Sequence, residues 1–146
     1  MNPGIEIFRK IAQAYSAVCK PFCKEIGLPQ TAFDILMFLG NNPAYKTASE
    51  IVEIRGIKAN LVSMNVDRLV RDGYLTRHPV KGDRRKTELQ CTEKAQPVIA
   101  QGRTLQAMFA ERLFADMPPE IRAACSAAMG IMEHHLNEIL EEDAKR

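Results

Sequence analysis

The sequence predicts a mainly α fold: a winged helix-turn-helix with a small β-hairpin wing and a helical dimerisation region. Three observations predict it. Apolar residues recur at three- and four-residue spacing in four helix-length runs before Gly73. Two β-leaning runs follow, "YLTRHPV" and "KTELQC", divided by the charged stretch "KGDRR". Two long helical runs then fill most of 92–146. At 146 residues the chain reads as one domain. Its DNA-binding lobe is expected over 28–91 and its dimerisation region over 1–27 plus 92–146.

The first helix is expected from Ile5 to about Ile26, with Ile7, Ile11, Ala14, Val18 and Phe22 on one side. Pro21 should kink or restart it. "GLPQ" is a break, and Pro29 suits the first turn of a second helix. Phe33, Leu36, Met37 and Gly40 give that helix one apolar side, and "GNNPAYK" closes it. Thr47 and Glu50 in "TASE" have capping-box spacing for a short third helix, which Gly56 stops. The fourth helix is expected from about Lys58 to Asp72. Gly56 between these two makes a helix-turn-helix. After the hairpin, Thr92 is expected to cap a long helix to about Asp116. "MPP" breaks it, and a last helix follows to about Glu142. Ile121, Cys125, Ala128, Met132, Leu136 and Ile139 repeat along that helix every 3.5 residues, as helix-on-helix packing requires.

Charge is segregated. Residues 1–57 carry net +1, residues 58–86 net +5 and residues 87–146 net −4. A basic middle in a nearly neutral chain points to a polyanionic partner. The N-terminal "MNPGIEIFRK" is charged too early for a signal peptide, and no apolar run has membrane-spanning length. A cytoplasmic protein without a membrane partner is expected. There is no nucleophile–base pattern, glycine-rich phosphate loop or paired-acid signature, so no enzymatic activity and no cofactor are expected. The four cysteines form no C-x-x-C pair.

On the fourth helix Ala59, Val62, Val66, Leu69 and Val70 fall on one side, and Asn60, Ser63, Met64, Asp67, Arg68 and Arg71 on the other. Short polar side chains near a helix start let the backbone approach a major groove. Asn60 suits an adenine edge, Ser63 a base or phosphate, and Met64 faces the same groove. Lys58 and Arg68 suit phosphates. Asp67 is expected to hold Arg68 or Arg71. At the hairpin tip Arg85 is the expected minor-groove probe, with Asp83 bracing it by an ion pair. Lys81, Arg84 and Lys86 are the expected phosphate anchors.

"LVSMNVDRLVRDGYLTR" followed by "GDRRKTELQCTEKA" resembles the MarR family of bacterial transcriptional regulators. The carrying elements are Val66-Asp67-Arg68-Leu69 before a glycine turn, Asp83-Arg84-Arg85, and Leu89-Gln90-Cys91-Thr92. "LPQTAFDILMFL" and "LFADMPPEIRAA" extend the resemblance over nearly the whole chain. It implies a homodimer binding a pseudo-palindromic operator on double-stranded DNA, released by a small-molecule effector or an oxidant. Cys91 stands where the family usually has an aliphatic residue, Met64 where a polar reader is frequent, and Lys58 near a usual Ser or Thr cap.

The sensing element is less legible. Tyr15, Phe22, Phe33 and Met37 could line an effector crevice, although their spacing suits plain core. Cys19 and Cys23, one turn apart and flanked by Lys20 and Lys24, are the candidate redox pair, because neighbouring ammonium groups lower a thiol pKa. His134, His135 and Glu138 have helical spacing but suit a solvated face better than a metal site. The alternatives are a winged-helix protein–protein module and a cysteine-based redox variant of the same regulator.

Overall fold

A computed structural model describes residues 2–146 of the chain. The elements are α1 (Pro3–Ile26), α2 (Gln30–Asn41), α3 (Ala48–Arg55), α4 (Ala59–Arg71), β1 (Leu75–Val80), β2 (Asp83–Cys91), α5 (Ala95–Leu113) and α6 (Pro119–Ala144). They fall into two units, Met1–Phe109 and Ala110–Arg146.

The first unit is built around α2. Its residues Ala32, Phe33, Ile35, Leu36, Met37, Phe38 and Leu39 are all buried, so α2 is apolar on more than the one expected side. The reason is tertiary: α1, α4 and β2 all pack on it. Ile51 of α3, Val62 and Leu69 of α4, Leu75 of β1 and Ile99 of α5 complete the core. Gly40 lets α5 come close, since a Cβ there would sit 2.9 Å from Ile99 Cγ2. The α1 helix runs through Pro21, which lies on its exposed side. Pro29 precedes α2 as an extended residue (φ −62°, ψ 152°) and is not in its first turn.

The capping box at α3 is present. Glu50 N donates to Thr47 Oγ1 (3.2 Å) and Thr47 N donates to Glu50 Oε1 (3.1 Å). Gly56 ends α3 at φ 65°, a conformation costly for residues with a Cβ, and so turns the chain into α4.

The antiparallel hairpin pairs Leu75 with Cys91 and continues to Pro79 opposite Thr87. The next pair is Val80 with Asp83, so Arg84, Arg85 and Lys86 have no partner across the ladder. The predicted loop "KGDRR" is therefore mostly strand: only Lys81 and Gly82 (φ 91°) form the turn, and the three cations form a bulge. Pro79 has no N–H to donate, which suits an interrupted ladder here. Thr92 does not cap α5. Its hydroxyl donates to the Gly73 carbonyl (2.6 Å), and α5 starts at Ala95.

In the second unit, Asp116 adopts φ 62° in the turn after α5. Arg122 Nη2 donates to the Phe114 carbonyl (3.2 Å), with its guanidinium 5.6 Å from the Phe114 ring centre. The α6 helix has no buried residue: Ile121, Met132, Leu136 and Ile139 of the predicted stripe are all exposed, as are Ile131 and Leu140. Among the described residues no helix is long and apolar enough to cross a membrane.

Candidate nucleic-acid interface

Helix α4 buries Val62, Val66 and Leu69 and leaves Asn60, Ser63 and Met64 exposed. Met64 is 65% exposed. Lys58 makes no side-chain capping bond; only its carbonyl enters the helix, accepting from Val62 N at 3.0 Å. Its ammonium is thus left on the surface. Asn65 folds back, its Nδ2 donating to the Leu61 carbonyl (2.8 Å).

Two charged residues of α4 have other tasks than the pattern suggested. Arg68 Nη2 donates to the Gly27 carbonyl at 2.8 Å, and its Nε lies 3.5 Å from the Asp72 carboxylate. Arg68 thus ties α4 to the end of α1, where a phosphate contact was expected. Asp67 pairs with Arg77 of β1, where Arg68 or Arg71 was expected. That pair is exposed on both sides, so its value for stability is small, about 0–1 kcal/mol. Its effect is positional: it fixes β1 against α4. Arg77 was not singled out from the sequence, and no local signal marks it. Lys94 and Thr92 hold the turn after α4: Lys94 Nζ donates to the Asp72 carbonyl (2.6 Å) and lies 4.6 Å from the Tyr74 ring centre.

On the hairpin, Lys81, Arg84, Arg85 and Lys86 are exposed. No ion pair joins Asp83 to the Arg85 guanidinium, contrary to expectation: Asp83 Oδ1 accepts from the Arg85 backbone N–H at 2.9 Å. The guanidinium is left unpaired by this contact.

The candidate redox pair is corrected. Cys19 is fully buried and Cys23 nearly so. Burial pushes the Cys19 thiol up and the Cys23 thiol up to about 11. Desolvation of the thiolate outweighs the lysines, whose ammonium groups sit in solvent. Of the four residues assigned to a crevice, Phe22 and Phe33 pack edge to face in the core (5.6 Å between centroids). Tyr15 and Met37 do line a cavity, of about 280 Å³, together with Asp34, Arg55 and Gln106. Gln106 Nε2 donates to the Tyr15 hydroxyl at 2.9 Å.

Asp34 was not foreseen, because a lone acid within an apolar helix pattern gives no sign of its depth. Burial pushes its carboxyl up to about 6, against the opposing pull of Arg55 and Gln30. A raised carboxylate favours the protonated folded state. Stability should therefore fall as pH rises from the ordinary 3.8 to about 6, and level off above. Asp34→Asn is expected to stabilise the chain at pH 7 by about 1–2 kcal/mol after allowance for solvent screening, with no gain near pH 3. Urea unfolding at the two pH values measures this.

In α6, His134 Nε2 lies 2.8 Å from Glu138 Oε1, and the His135 ring is 5.9 Å from that of His134. No group of three or more His, Cys, Asp or Glu suited to a metal occurs among the described residues.

Residues 26–86 match a family model described as MarR family. The chain is also similar to solved structures. A MarR transcriptional regulator from Methanosarcina mazei Go1 is 18% identical over 92% of this chain and 96% of that one, with a TM-score of 0.80. A transcriptional regulator from Thermotoga maritima is 28% identical over 92% and 97%, with a TM-score of 0.67. A MarR family regulator from Listeria monocytogenes, solved in complex with a 26mer DNA, is 18% identical over 94% and 92%, with a TM-score of 0.80.

Proposed function

We propose that this chain, whose residues 26–86 belong to the MarR family and whose fold is that of MarR winged-helix structures, is a sequence-specific double-stranded DNA-binding transcriptional regulator. One observation carries the reading. The start of α4 leaves Asn60, Ser63 and Met64 exposed beside the surface cation Lys58, and the hairpin packed on α4 ends in a bulge of three cations without ladder partners. The first suits base edges in a major groove, and the second suits the phosphates and narrow groove beside it. Lys58 and Lys81 add phosphate anchors, while Arg68 acts by holding α4 in position. That the Listeria relative was solved with DNA supports the reading.

The working form is a homodimer on a pseudo-palindromic operator. The apolar residues of α6 are exposed, as are Ile5, Ile7 and Phe8 of α1, and a second copy of the chain would cover them. The regulator acts in the cytoplasm as a repressor, without catalysis. Release by a small ligand fits better than release by an oxidant, since Cys19 and Cys23 are buried with raised thiol pKa values.

Selection of bound duplexes from random DNA, followed by affinity measurements across salt concentrations, tests the function. A selected duplex should bind with a log–log salt slope of about −5 to −9, corresponding to ~6–10 phosphate contacts. No binding to any duplex at low salt would overturn the reading and favour a protein–protein module.

A further inference from the structure

We propose that Met64 makes the reading helix selective for the C5-methyl group of a pyrimidine, so that the chain distinguishes thymine from uracil and 5-methylcytosine from cytosine. The inference deepens the DNA-binding reading of the preceding subsection and rests on it.

Most polar side chains along the middle of α4 are engaged within the chain. Asn65 Nδ2 donates to the Leu61 carbonyl (2.8 Å). Arg68 is held by the Gly27 carbonyl (2.8 Å) and faces Asp72. Asp67 pairs with Arg77. Arg71 is exposed but stands at the far end of the helix, in its last turn. Along the first turns Asn60, Ser63 and Met64 are left. Asn60 and Met64 are one turn apart and share a face.

Met64 adds nothing to the core. Val62, Val66 and Leu69 fill the buried side of α4, and Met64 is 65% exposed on the other. The middle of the free face therefore carries a thioether where a hydrogen-bonding side chain could stand. Leu61 is the other exposed apolar residue of α4, at 40%.

The chemistry of the groove then narrows the partner. In the major groove guanine, cytosine and adenine present only donors and acceptors, whereas thymine adds a methyl group at C5. A thioether cannot donate and accepts weakly, so it reads the polar edges poorly. It gains by burying apolar surface, and its unbranched, polarisable chain adapts to the contact. 5-Methylcytosine carries its methyl at the same place in the groove and is the second source of the same chemistry. The net +5 of residues 58–86 supplies attraction to the backbone without sequence information. Discrimination in the major groove falls to the few free groups of α4.

The test uses the full chain and a duplex selected from random DNA, read by fluorescence anisotropy. Thymines are replaced in turn, in both half-sites, by deoxyuridine, which removes the methyl and keeps the base pair. At one position the wild type should lose about 10- to 20-fold, from about fourfold for each buried methyl. In Met64→Ala the same replacement should change affinity by less than about twofold. Alanine favours a helix and Met64 is exposed, so this variant folds, and its salt slope should match wild type. Met64→Leu keeps an apolar side chain of similar volume and should keep most of the penalty. Cytosine at the same position should bind about as weakly as deoxyuridine, and 5-methylcytosine should recover most of the loss. No recovery would overturn the 5-methylcytosine half of the inference. Equal affinity for thymine and deoxyuridine at every position would overturn the whole. So would a penalty undiminished in Met64→Ala, which would assign the methyl to another side chain such as Leu61. These outcomes leave the regulator reading standing, since the duplex is bound. Failure to bind any duplex would remove that reading and this inference with it.

Discussion

Replacing Arg84, Arg85 and Lys86 together with alanine is expected to weaken operator binding by about 10²–10³-fold and, with both wings of the dimer altered, to make the salt slope shallower by roughly 4–5. The three side chains are exposed and sit where the hairpin ladder skips, so truncating them removes charge without removing paired strand residues. Fold stability should change by no more than about 0.5 kcal/mol. Arg85→Ala alone should cost about 1–3 kcal/mol of binding and relax any A·T preference at the wing positions, since a guanidinium is favoured in a narrow, negative minor groove. Asp83→Ala separates the brace from the probe: it frees the Arg85 backbone N–H and leaves the guanidinium in place. Its loss should be smaller than that of Arg85→Ala. Fluorescence anisotropy on a selected duplex at several salt concentrations reads all three variants. An unchanged slope in the triple variant would show that the wing does not touch DNA.

The second large effect is expected from Leu136→Glu combined with Ile139→Glu. Both residues are more than half exposed on α6, and neither supports the fold of a single chain. Two carboxylates on a face covered by a second copy would each have to be desolvated without a partner. Sedimentation should show a dimer for the wild type and a monomer for this variant at micromolar concentration, while helicity stays unchanged. DNA affinity should fall by about 10²–10⁴-fold, because two reading helices would no longer be held at half-site spacing. A double variant that remains dimeric would place the dimer contact elsewhere.

Much of the element order was legible because its causes are local. Thr47 and Glu50 lie in one turn of chain, so their reciprocal bonds follow from spacing. Gly56 and Gly82 take positive φ where the pattern required turns. The buried stripe of α4 follows from the 3.6-residue period and a single packed side. The same local logic failed where several elements meet. For α2 it gave one apolar face, yet neighbours on several sides bury nearly all of its apolar residues. For "KGDRR" it gave a loop, since charge and glycine suggest a turn, and no sequence signal announces a bulge. For Thr92 it gave a cap, whereas the hydroxyl is taken by Gly73, 19 residues earlier.

The sequence by itself determined that the chain forms a helix-turn-helix, a basic hairpin and two long following helices, and where the positive charge is concentrated. These depend on propensity, period and capping, which act within a few residues. Only the tertiary structure decided which charges remain free at the surface. Arg68 is drawn to a carbonyl 41 residues away and Asp67 to a strand residue ten away, while Arg84, Arg85 and Lys86 are set apart by a skipped ladder. It also placed Cys19 and Cys23 in the core, where burial pushes both thiols up. Bonds and burial of this kind depend on groups brought together from distant parts of the chain, and no local pattern encodes that distance.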